Sequence, residues 1–120
     1  ATHRRLRRMI EVTENHFDNE AAAARDIDAT GQYKTQFTVP QVAGEAHWHR
    51  FDAVLYLLEG VLHLTDVTTG KVLEIRPGCK VSIPQGTLHA ERSNGYRVLL
   101  SSSVPPEEFG DPVDVPPNEL

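Results

Sequence analysis

The feature that most constrains the fold is a series of short apolar runs that begins near residue 32 and continues to about residue 103. These runs are rich in β-branched and aromatic residues, and pairs of residues typical of tight turns separate them. The runs read YKTQFTV, AVLYLLEG, VLHLTDV, KVLEI, KVSI and YRVLLSSS, and the turn pairs are Glu59-Gly60, Thr69-Gly70, Pro77-Gly78, Gln85-Gly86 and Asn94-Gly95. Many short strands at even spacing are typical of an all-β sandwich or barrel.

The two ends of the chain differ from this central part. Residues 17–27 read FDNEAAAARDI, in which the alanine run favours a helix, Asp18 is a candidate N-cap, and Gly31 ends the helix. The last residues, VPPEEFGDPVDVPPNEL, are rich in proline, which lacks a backbone donor and cannot form a central strand. The sequence therefore predicts an N-terminal arm and helix over residues 1–31, a β domain over 32–104, and an extended acidic tail over 105–120 that packs on the barrel or on a second subunit.

Charge and cysteine content narrow the classes of function. The net charge of −5 indicates no broad basic surface, so nucleic acid is not an expected partner. The basic run at residues 3–8 is interpreted as a solvated arm, with an electrostatic tether as the alternative. The single cysteine, Cys79, excludes an internal disulfide framework and indicates a reducing compartment. Without a signal peptide or an apolar stretch of ~20 residues, we expect a cytoplasmic protein with no membrane partner.

Alternation along the runs predicts which residues form the core. The expected inward residues are Ala53, Leu55, Leu57, Leu62 and Leu64. His63 is then expected to point outward, and Cys79 is interpreted as a small buried apolar residue rather than a nucleophile.

Three histidines form a candidate metal site. His47 and His49 are two residues apart, so in a strand both side chains project to one face, and two neutral imidazoles on one face can bind a transition metal. A third ligand is needed, and His89 follows the segment Pro84-Gln85-Gly86, which predicts a sharp turn before a new strand. His89 at the start of that strand can reach across a barrel to the first pair.

The segment around His89 resembles the second motif of the cupin superfamily, which comprises small β-barrels of the jelly-roll type. That motif, G-x5-P-x-G-x2-H-x3-N, is matched at every spacing by Gly78, Pro84, Gly86 and His89. Only the final Asn departs, because Ser93 holds its position and Asn94 follows one residue late. The resemblance covers residues 33–104 and implies an all-β, cupin-type jelly-roll β-barrel with a short N-terminal helix.

The segment around the first two histidines resembles the first cupin motif, G-x5-H-x-H-x3,4-E-x6-G. His47, His49 and Gly60 match it, whereas Gln41 holds the position of the leading Gly. Counting back from Gly60, the glutamate of the motif falls on Ala53. The three-His, one-Glu ligand set that the resemblance implies is therefore incomplete.

Several explanations of the missing carboxylate remain open. Asp52 is adjacent, but strand alternation sends it to the other face unless a bulge intervenes. Glu91 shares the face of His89 in a regular strand, and a bulge would turn it outward. The leading interpretation is that three histidines alone hold the metal, which resembles the three-His iron site of cysteine dioxygenase-like and diketone-cleaving cupins. The last alternative is a site that holds no metal physiologically.

The resemblance implies a small-molecule metalloenzyme, such as an oxygenase, lyase or isomerase acting on a small acid or carbonyl compound. The expected cofactor is a divalent transition metal at His47, His49 and His89, with Fe first and Zn, Ni, Mn or Cu as alternatives. Glu91 is the candidate catalytic acid or base. The alternatives are a non-catalytic cupin that binds a small ligand as a sensor or storage module, and a purely structural barrel. We also expect a homodimer, because pairing removes exposed strand edges.

Overall fold

A computed structural model describes residues 9–120, so the basic run at residues 3–8 lies outside the described residues. The described residues form nine strands, one α-helix and two short 3-10 turns. Their bounds are β1 Glu11–Thr13, α1 Glu20–Thr30, β2 Tyr33–Val39, β3 Val42–Ala43, β4 Ala53–Gly60, β5 Leu62–Asp66, β6 Lys71–Ile75, β7 Lys80–Ile83, β8 His89–Ser93 and β9 Tyr96–Ser102, followed by the turns Pro106–Glu108 and Pro117–Glu119. The six predicted runs correspond to β2, β4, β5, β6, β7 and β9. Strand β8 begins at His89, after the predicted turn, whereas β1 and β3 had no such signal.

The strands form two antiparallel sheets, which confirms the expected cupin-type architecture with one short helix. One sheet has the order β1-β7-β4-β9-β2 and the other has the order β3-β8-β5-β6. Apolar side chains from both sheets form one core cluster, which includes Leu55, Leu57, Leu62, Leu64, Ile75, Val81 and Val98. Each such aliphatic side chain contributes about 1.5–3 kcal/mol when it is removed from water.

The predicted alternation is confirmed along β4 and β5. All five residues expected to point inward are buried. The side chain of His63 lies on the opposite face, where it remains partly exposed and lies 3.6 Å from the carboxylate of Glu74. Cys79 is buried within the core cluster, as expected for a small apolar residue.

The backbone at residue 60, where the first motif has its last glycine, requires a residue without a side chain. The pairing of β4 with β9 shifts register between Leu57 and Glu59, and Gly60 then adopts a φ of 85°. A Cβ atom at this position would overlap the carbonyl oxygen of Gly95. Only glycine therefore fits the turn that leads from β4 into β5.

Helix α1 covers the outer face of the five-stranded sheet. Its buried residues, Ala23 and Ile27, pack in a second cluster with Tyr56 of β4 and Leu99 of β9. The N-cap is Asn19, whose side chain accepts the backbone N–H of Ala22 at 2.9 Å, so the prediction of Asp18 as the cap is wrong by one residue. Both side chains can cap a helix, and sequence alone does not choose between neighbours of this kind.

Both ends of the described chain are attached to the barrel. β1 pairs with β7 at the edge of the larger sheet, and Val115 of the tail forms a bridge with Trp48. The tail thus packs on its own barrel, which is one of the two placements expected for it, while the division at residues 31 and 104 stays a prediction. No helix among residues 9–120 is long and apolar enough to cross a membrane.

Candidate metal centre

The three predicted histidines meet at one end of the barrel. His47 and His89 are directly opposite each other, because the N–H of each donates to the carbonyl of the other at 2.9 Å. Their ring centroids are 4.4 Å apart, and the ring of His49 lies 5.0 Å from each of them. One ligand atom of each histidine lies within 4.8 Å of the others, so the three side chains could hold a single ion.

The backbone around His47 and His49 is less regular than the expected strand. Residues 47 and 48 take part only in isolated bridges, and β4 begins at Ala53. The segment is held by the turn before His89, since the N–H of Gly86 donates to the carbonyl of His49 at 3.0 Å. The two motifs therefore position each other through backbone hydrogen bonds.

Each imidazole is oriented by a hydrogen bond from Nδ1 to a backbone carbonyl. The acceptors are Glu45 for His47 at 2.9 Å, Val113 for His49 at 3.0 Å and Thr87 for His89 at 2.8 Å. A carbonyl oxygen can only accept, so each Nδ1 carries the proton and each neutral ring presents a lone pair at Nε2. Histidines that bind a metal commonly donate their other ring N–H to a carbonyl oxygen in this way, which fixes the orientation of the ring.

Burial keeps the rings of His89 and His49 neutral. Loss of solvation, together with the neighbouring imidazoles, lowers the pKa of His89 to about 4, although the hydrogen bond to Thr87 opposes the shift. Loss of solvation also lowers the pKa of His49. Neutral imidazole is the form that binds a metal, so both rings are in the correct protonation state at neutral pH.

His89 supplies the clearest sign that the site fits a cation. Its side chain is fully buried, and Nε2 makes no hydrogen bond. A buried polar atom without a partner costs about 1–3 kcal/mol. A metal ion bound to the lone pair of Nε2 would remove this cost, so the residues present fit the ion that the motifs imply.

Neither candidate substitute for the missing glutamate belongs to the group formed by the three histidines. Ala53, at the position of the lost carboxylate, is only 4% exposed and belongs to the core. Asp52 accepts the N–H of Gln85 at 2.8 Å, which ties its carboxylate to the turn before His89. Neither Asp52 nor Glu91 joins the set of ligand atoms that lie within 4.8 Å of one another.

Glu91 lies on the same face of β8 as His89. The register of β8 against β5 is regular, and Glu91 is opposite the buried Leu64, as His89 is opposite Asp66. The hydroxyl of Tyr96 donates to the Glu91 carboxylate at 2.8 Å. Burial and the adjacent carboxylate raise the pKa of Tyr96, so this hydroxyl keeps its proton and remains a donor.

Sequence reasoning missed the contribution of the tail. A carboxylate oxygen of Asp114 lies 3.6 Å from Nε2 of His47 and 3.7 Å from Nδ1 of His49. Phe51 stacks on both His49 and Phe109 of the tail, with ring centroids 5.2 and 4.1 Å apart, respectively. No local pattern in the tail indicates where it would pack.

A pocket of about 300 Å³ opens beside the histidines. Its lining includes His47, Glu91 and Asp114, together with Val42 and Pro116. A small molecule in this pocket would therefore contact a candidate metal ligand and two carboxylates at once.

Comparison with known proteins gives consistent results. A family model described as a cupin domain matches residues 36–100. The polyketide cyclase RemF from Streptomyces resistomycificus is 27% identical with a TM-score of 0.51, and the match covers 61% of this chain but 55% of RemF. Protein NMB1881 from Neisseria meningitidis is 26% identical with a TM-score of 0.50, covering 59% of this chain and 74% of that protein.

A further structure supports the fold alone. A DUF861 family protein from Thermotoga maritima is 15% identical with a TM-score of 0.55, and the match covers 77% of this chain and 97% of that one. A search of curated proteins found no match.

Proposed function

The chain belongs to the cupin family, and on that premise we propose that it is a small-molecule metalloenzyme with a mononuclear divalent transition metal at His47, His49 and His89. The observation that carries the proposal is the hydrogen-bond pattern that the three rings share, in which Nδ1 is bonded to a carbonyl oxygen and Nε2 is left with its lone pair. Iron is the first candidate, and Zn, Ni, Mn or Cu are compatible with imidazole ligands.

The substrate class follows from charge and from the pocket. Three neutral imidazoles leave a divalent ion with its full charge, which favours an acidic or carbonyl substrate in the pocket beside His47. When bound, the metal supplies Lewis-acid or redox chemistry next to that pocket. The likeness to RemF, a polyketide cyclase, supports a carbonyl compound and a lyase- or isomerase-type reaction, with an oxygenase as the other candidate.

The residues of the chain have distinct roles in this proposal. The carbonyl oxygens of Glu45, Val113 and Thr87 fix the tautomers of the three rings. Glu91 lines the pocket and is the proposed group that accepts or returns a substrate proton, with Tyr96 holding its carboxylate in place. The stacked rings of Phe51 and Phe109 exclude water from one side of His49.

The test begins with the metal content of protein purified without a His-tag. We expect a stoichiometric transition metal by elemental analysis, or stoichiometric binding when the chelator-treated protein is titrated with Fe²⁺ or Zn²⁺. The loaded protein is then supplied with small carbonyl compounds and carboxylic acids, while oxygen uptake and exchange of carbon-bound protons in D₂O are followed. Oxygen uptake supports an oxygenase, and proton exchange supports a lyase or isomerase.

One observation favours a second function. Ala53 replaces the glutamate of the motif, so the usual ligand set is incomplete and a cupin that only binds a small ligand is the alternative. A protein that takes up no metal but binds a small acid or carbonyl compound in calorimetry would support this non-catalytic role and contradict the proposed one.

We further propose that the protein works as a cytoplasmic homodimer whose partner is a small molecule rather than nucleic acid or a membrane. The single cysteine supports a reducing compartment, and the net charge of −5 argues against a nucleic-acid surface. Strand β2 lies at an edge of the larger sheet, and Tyr33 and Phe37 on it are exposed. A second copy paired along β2 would cover this edge.

A further inference from the structure

We propose that Asp114 of the C-terminal tail is a ligand of the metal, in place of the glutamate that the barrel lacks at Ala53. The inference rests on the proposed metal site and adds a fourth ligand to it. It also makes the tail a part of the site rather than a cover over the barrel.

The distance between Asp114 and His47 is the one expected of two ligands on one ion. Asp114 lies outside the set of ligand atoms that are within 4.8 Å of one another, so its exposed side chain must rotate toward the three rings when the ion binds. Bonds of about 2.0–2.2 Å to nitrogen and oxygen place two ligand atoms of a tetrahedral ion roughly 3.3–3.6 Å apart. A carboxylate oxygen of Asp114 is 3.6 Å from Nε2 of His47, the ring nitrogen that is free to bind. The two atoms are too far apart for a hydrogen bond, but an ion can bridge them.

The backbone fixes the position of Asp114 from both sides. The preceding residue, Val113, accepts the Nδ1 proton of His49 at 3.0 Å. The following residue, Val115, is fully buried and exchanges two backbone hydrogen bonds with Trp48, at 3.0 and 2.9 Å. Because both neighbours are bonded to the segment that carries His47 and His49, the carboxylate is held at the site by the same segment as two of the ligands.

More distant anchors hold the rest of the tail in the same place. The indole Nε1 of Trp48 donates to the carbonyl of Pro116 at 3.0 Å. The guanidinium of Arg50 donates to the carbonyl of Pro112 at 2.9 Å. Four consecutive residues, 48–51, therefore contact the tail through a hydrogen bond or a stacked ring.

Charge gives a reason for a carboxylate at this position. Three neutral imidazoles leave a divalent ion with a charge of +2, and one carboxylate reduces the net charge of the site to +1. The other two candidate carboxylates are engaged elsewhere, Asp52 with the N–H of Gln85 and Glu91 with the hydroxyl of Tyr96. The Asp114 side chain is 66% exposed, so its charge stays largely solvated before the ion binds.

The test compares Co²⁺ binding by the full chain after removal of endogenous metal, with calorimetry for affinity and visible absorption for coordination. Asp114→Asn and Asp114→Ala are the test variants. Glu107→Gln is the matched control, because it removes one negative charge from an exposed position of the same tail. His89→Ala tests the three-histidine site itself, and circular dichroism verifies that every variant is folded.

We expect both Asp114 variants to weaken Co²⁺ binding at least about tenfold, since even residues that only orient ligands change metal affinity by this factor. Their Co²⁺ spectra should also differ from wild type, whereas Glu107→Gln should retain the wild-type affinity and spectrum. Wild-type affinity, or weaker binding with an unchanged spectrum, would overturn the assignment of Asp114 as a ligand. If His89→Ala weakens binding while Asp114→Ala does not, only this inference fails. A wild-type protein that binds no Co²⁺ would overturn both the metal site and the ligand.

Discussion

His47 and His89 are 42 residues apart in the sequence but form one hydrogen-bonded antiparallel pair, in which the N–H of each donates to the carbonyl of the other at 2.9 Å. Residues opposite each other in such a pair project to the same face, so the backbone itself brings the two imidazoles together. The candidate metal site therefore lies where the two cupin motifs pair.

Removal of His89 should impair metal binding more than removal of a histidine outside the site. His89→Ala eliminates one of the three proposed histidine ligands, and we expect metal affinity to fall by at least about tenfold. His63→Ala is the control, because His63 lies on the outer face of β5 beside Glu74. Elemental analysis after dialysis against limiting metal measures both variants. Equal occupancy in His89→Ala and wild type would exclude His89 as a ligand.

The parts of the site that sequence predicted are those governed by local rules. The two-residue spacing predicted that His47 and His49 share one side, and they do so although their segment forms only isolated bridges. The turn at Pro84-Gln85-Gly86 precedes His89 at the start of β8, as predicted. The strands were predicted in the same way, because alternation and turn residues are local signals.

The parts that sequence did not predict depend on contacts distant in the chain. Asp114 and Phe109 lie in a Pro-rich segment without periodicity, so nothing in their own sequence indicates that they pack against residues 47–51. Strand β3 has only two residues and β1 has three, and both are defined by their partners in the sheet. Asp18 and Asn19 are both suitable N-cap residues, so the local sequence did not decide that Asn19 is the cap.

Glu91→Gln should separate a role in proton transfer from a role in metal binding. The substitution retains the shape of the side chain and removes its charge, while Gln still accepts the Tyr96 hydroxyl. We expect metal content close to wild type and a loss of turnover by a factor of about 10²–10⁴, as for removal of a general acid or base. Tyr96→Phe is the companion variant, because it leaves the carboxylate in place and should cost less activity. Loss of metal from Glu91→Gln would instead indicate a ligand.

The contact between Asp26 and Tyr56 should make stability depend on pH. The Tyr56 hydroxyl donates to the Asp26 carboxylate at 2.6 Å, and this bond, followed by that from His16, lowers the pKa of Asp26. A carboxylate with a lowered pKa stabilises the folded state above its unfolded pKa of about 3.9, and this contribution is lost as pH falls through the folded pKa.

The magnitude of this effect is modest because the Asp26 side chain is 40% exposed. We expect Asp26→Asn to lower the free energy of unfolding by about 1 kcal/mol at pH 7 and by less at pH 3. Urea unfolding of the metal-free protein at both pH values measures the free energy of unfolding of wild type and variant. Asp28→Asn, on the same helix, is the control, because Asp28 pairs with the Lys34 ammonium and its side chain is more exposed than that of Asp26. The same loss for Asp26→Asn at both pH values would contradict this explanation.

The mass in solution tests the proposed dimer. Strand β2 ends the order of the larger sheet, and Phe37 on it is 38% exposed. We expect light scattering to give a dimer mass at micromolar concentration and Phe37→Glu to shift the population toward monomer, since a charge on the edge opposes pairing. Val72→Glu on β6, the edge of the other sheet, is the control. A wild-type monomer at this concentration would refute the dimer.

Ala53→Glu should restore the carboxylate that the first motif has lost. Ala53 is 4% exposed, so a carboxylate there is strongly destabilising in the metal-free protein unless it is paired or takes up a proton. A bound ion would offset that cost by taking the carboxylate as a ligand. We therefore expect the variant to be less stable than wild type without metal and to gain more stability than wild type when Zn²⁺ is added, as measured by thermal unfolding.

The double variant Ala53→Glu, Asp114→Ala tests whether the two carboxylates have the same role in metal binding. If Asp114 supplies the carboxylate that Ala53 cannot, then Ala53→Glu should recover part of the metal affinity lost in Asp114→Ala, because either side chain can complete the ligand set. In the wild-type background the same substitution should add less affinity, since Asp114 already holds that position. Equal gains in the two backgrounds would mean that the two carboxylates bind independently, and Asp114 would then not be the replacement for the lost glutamate.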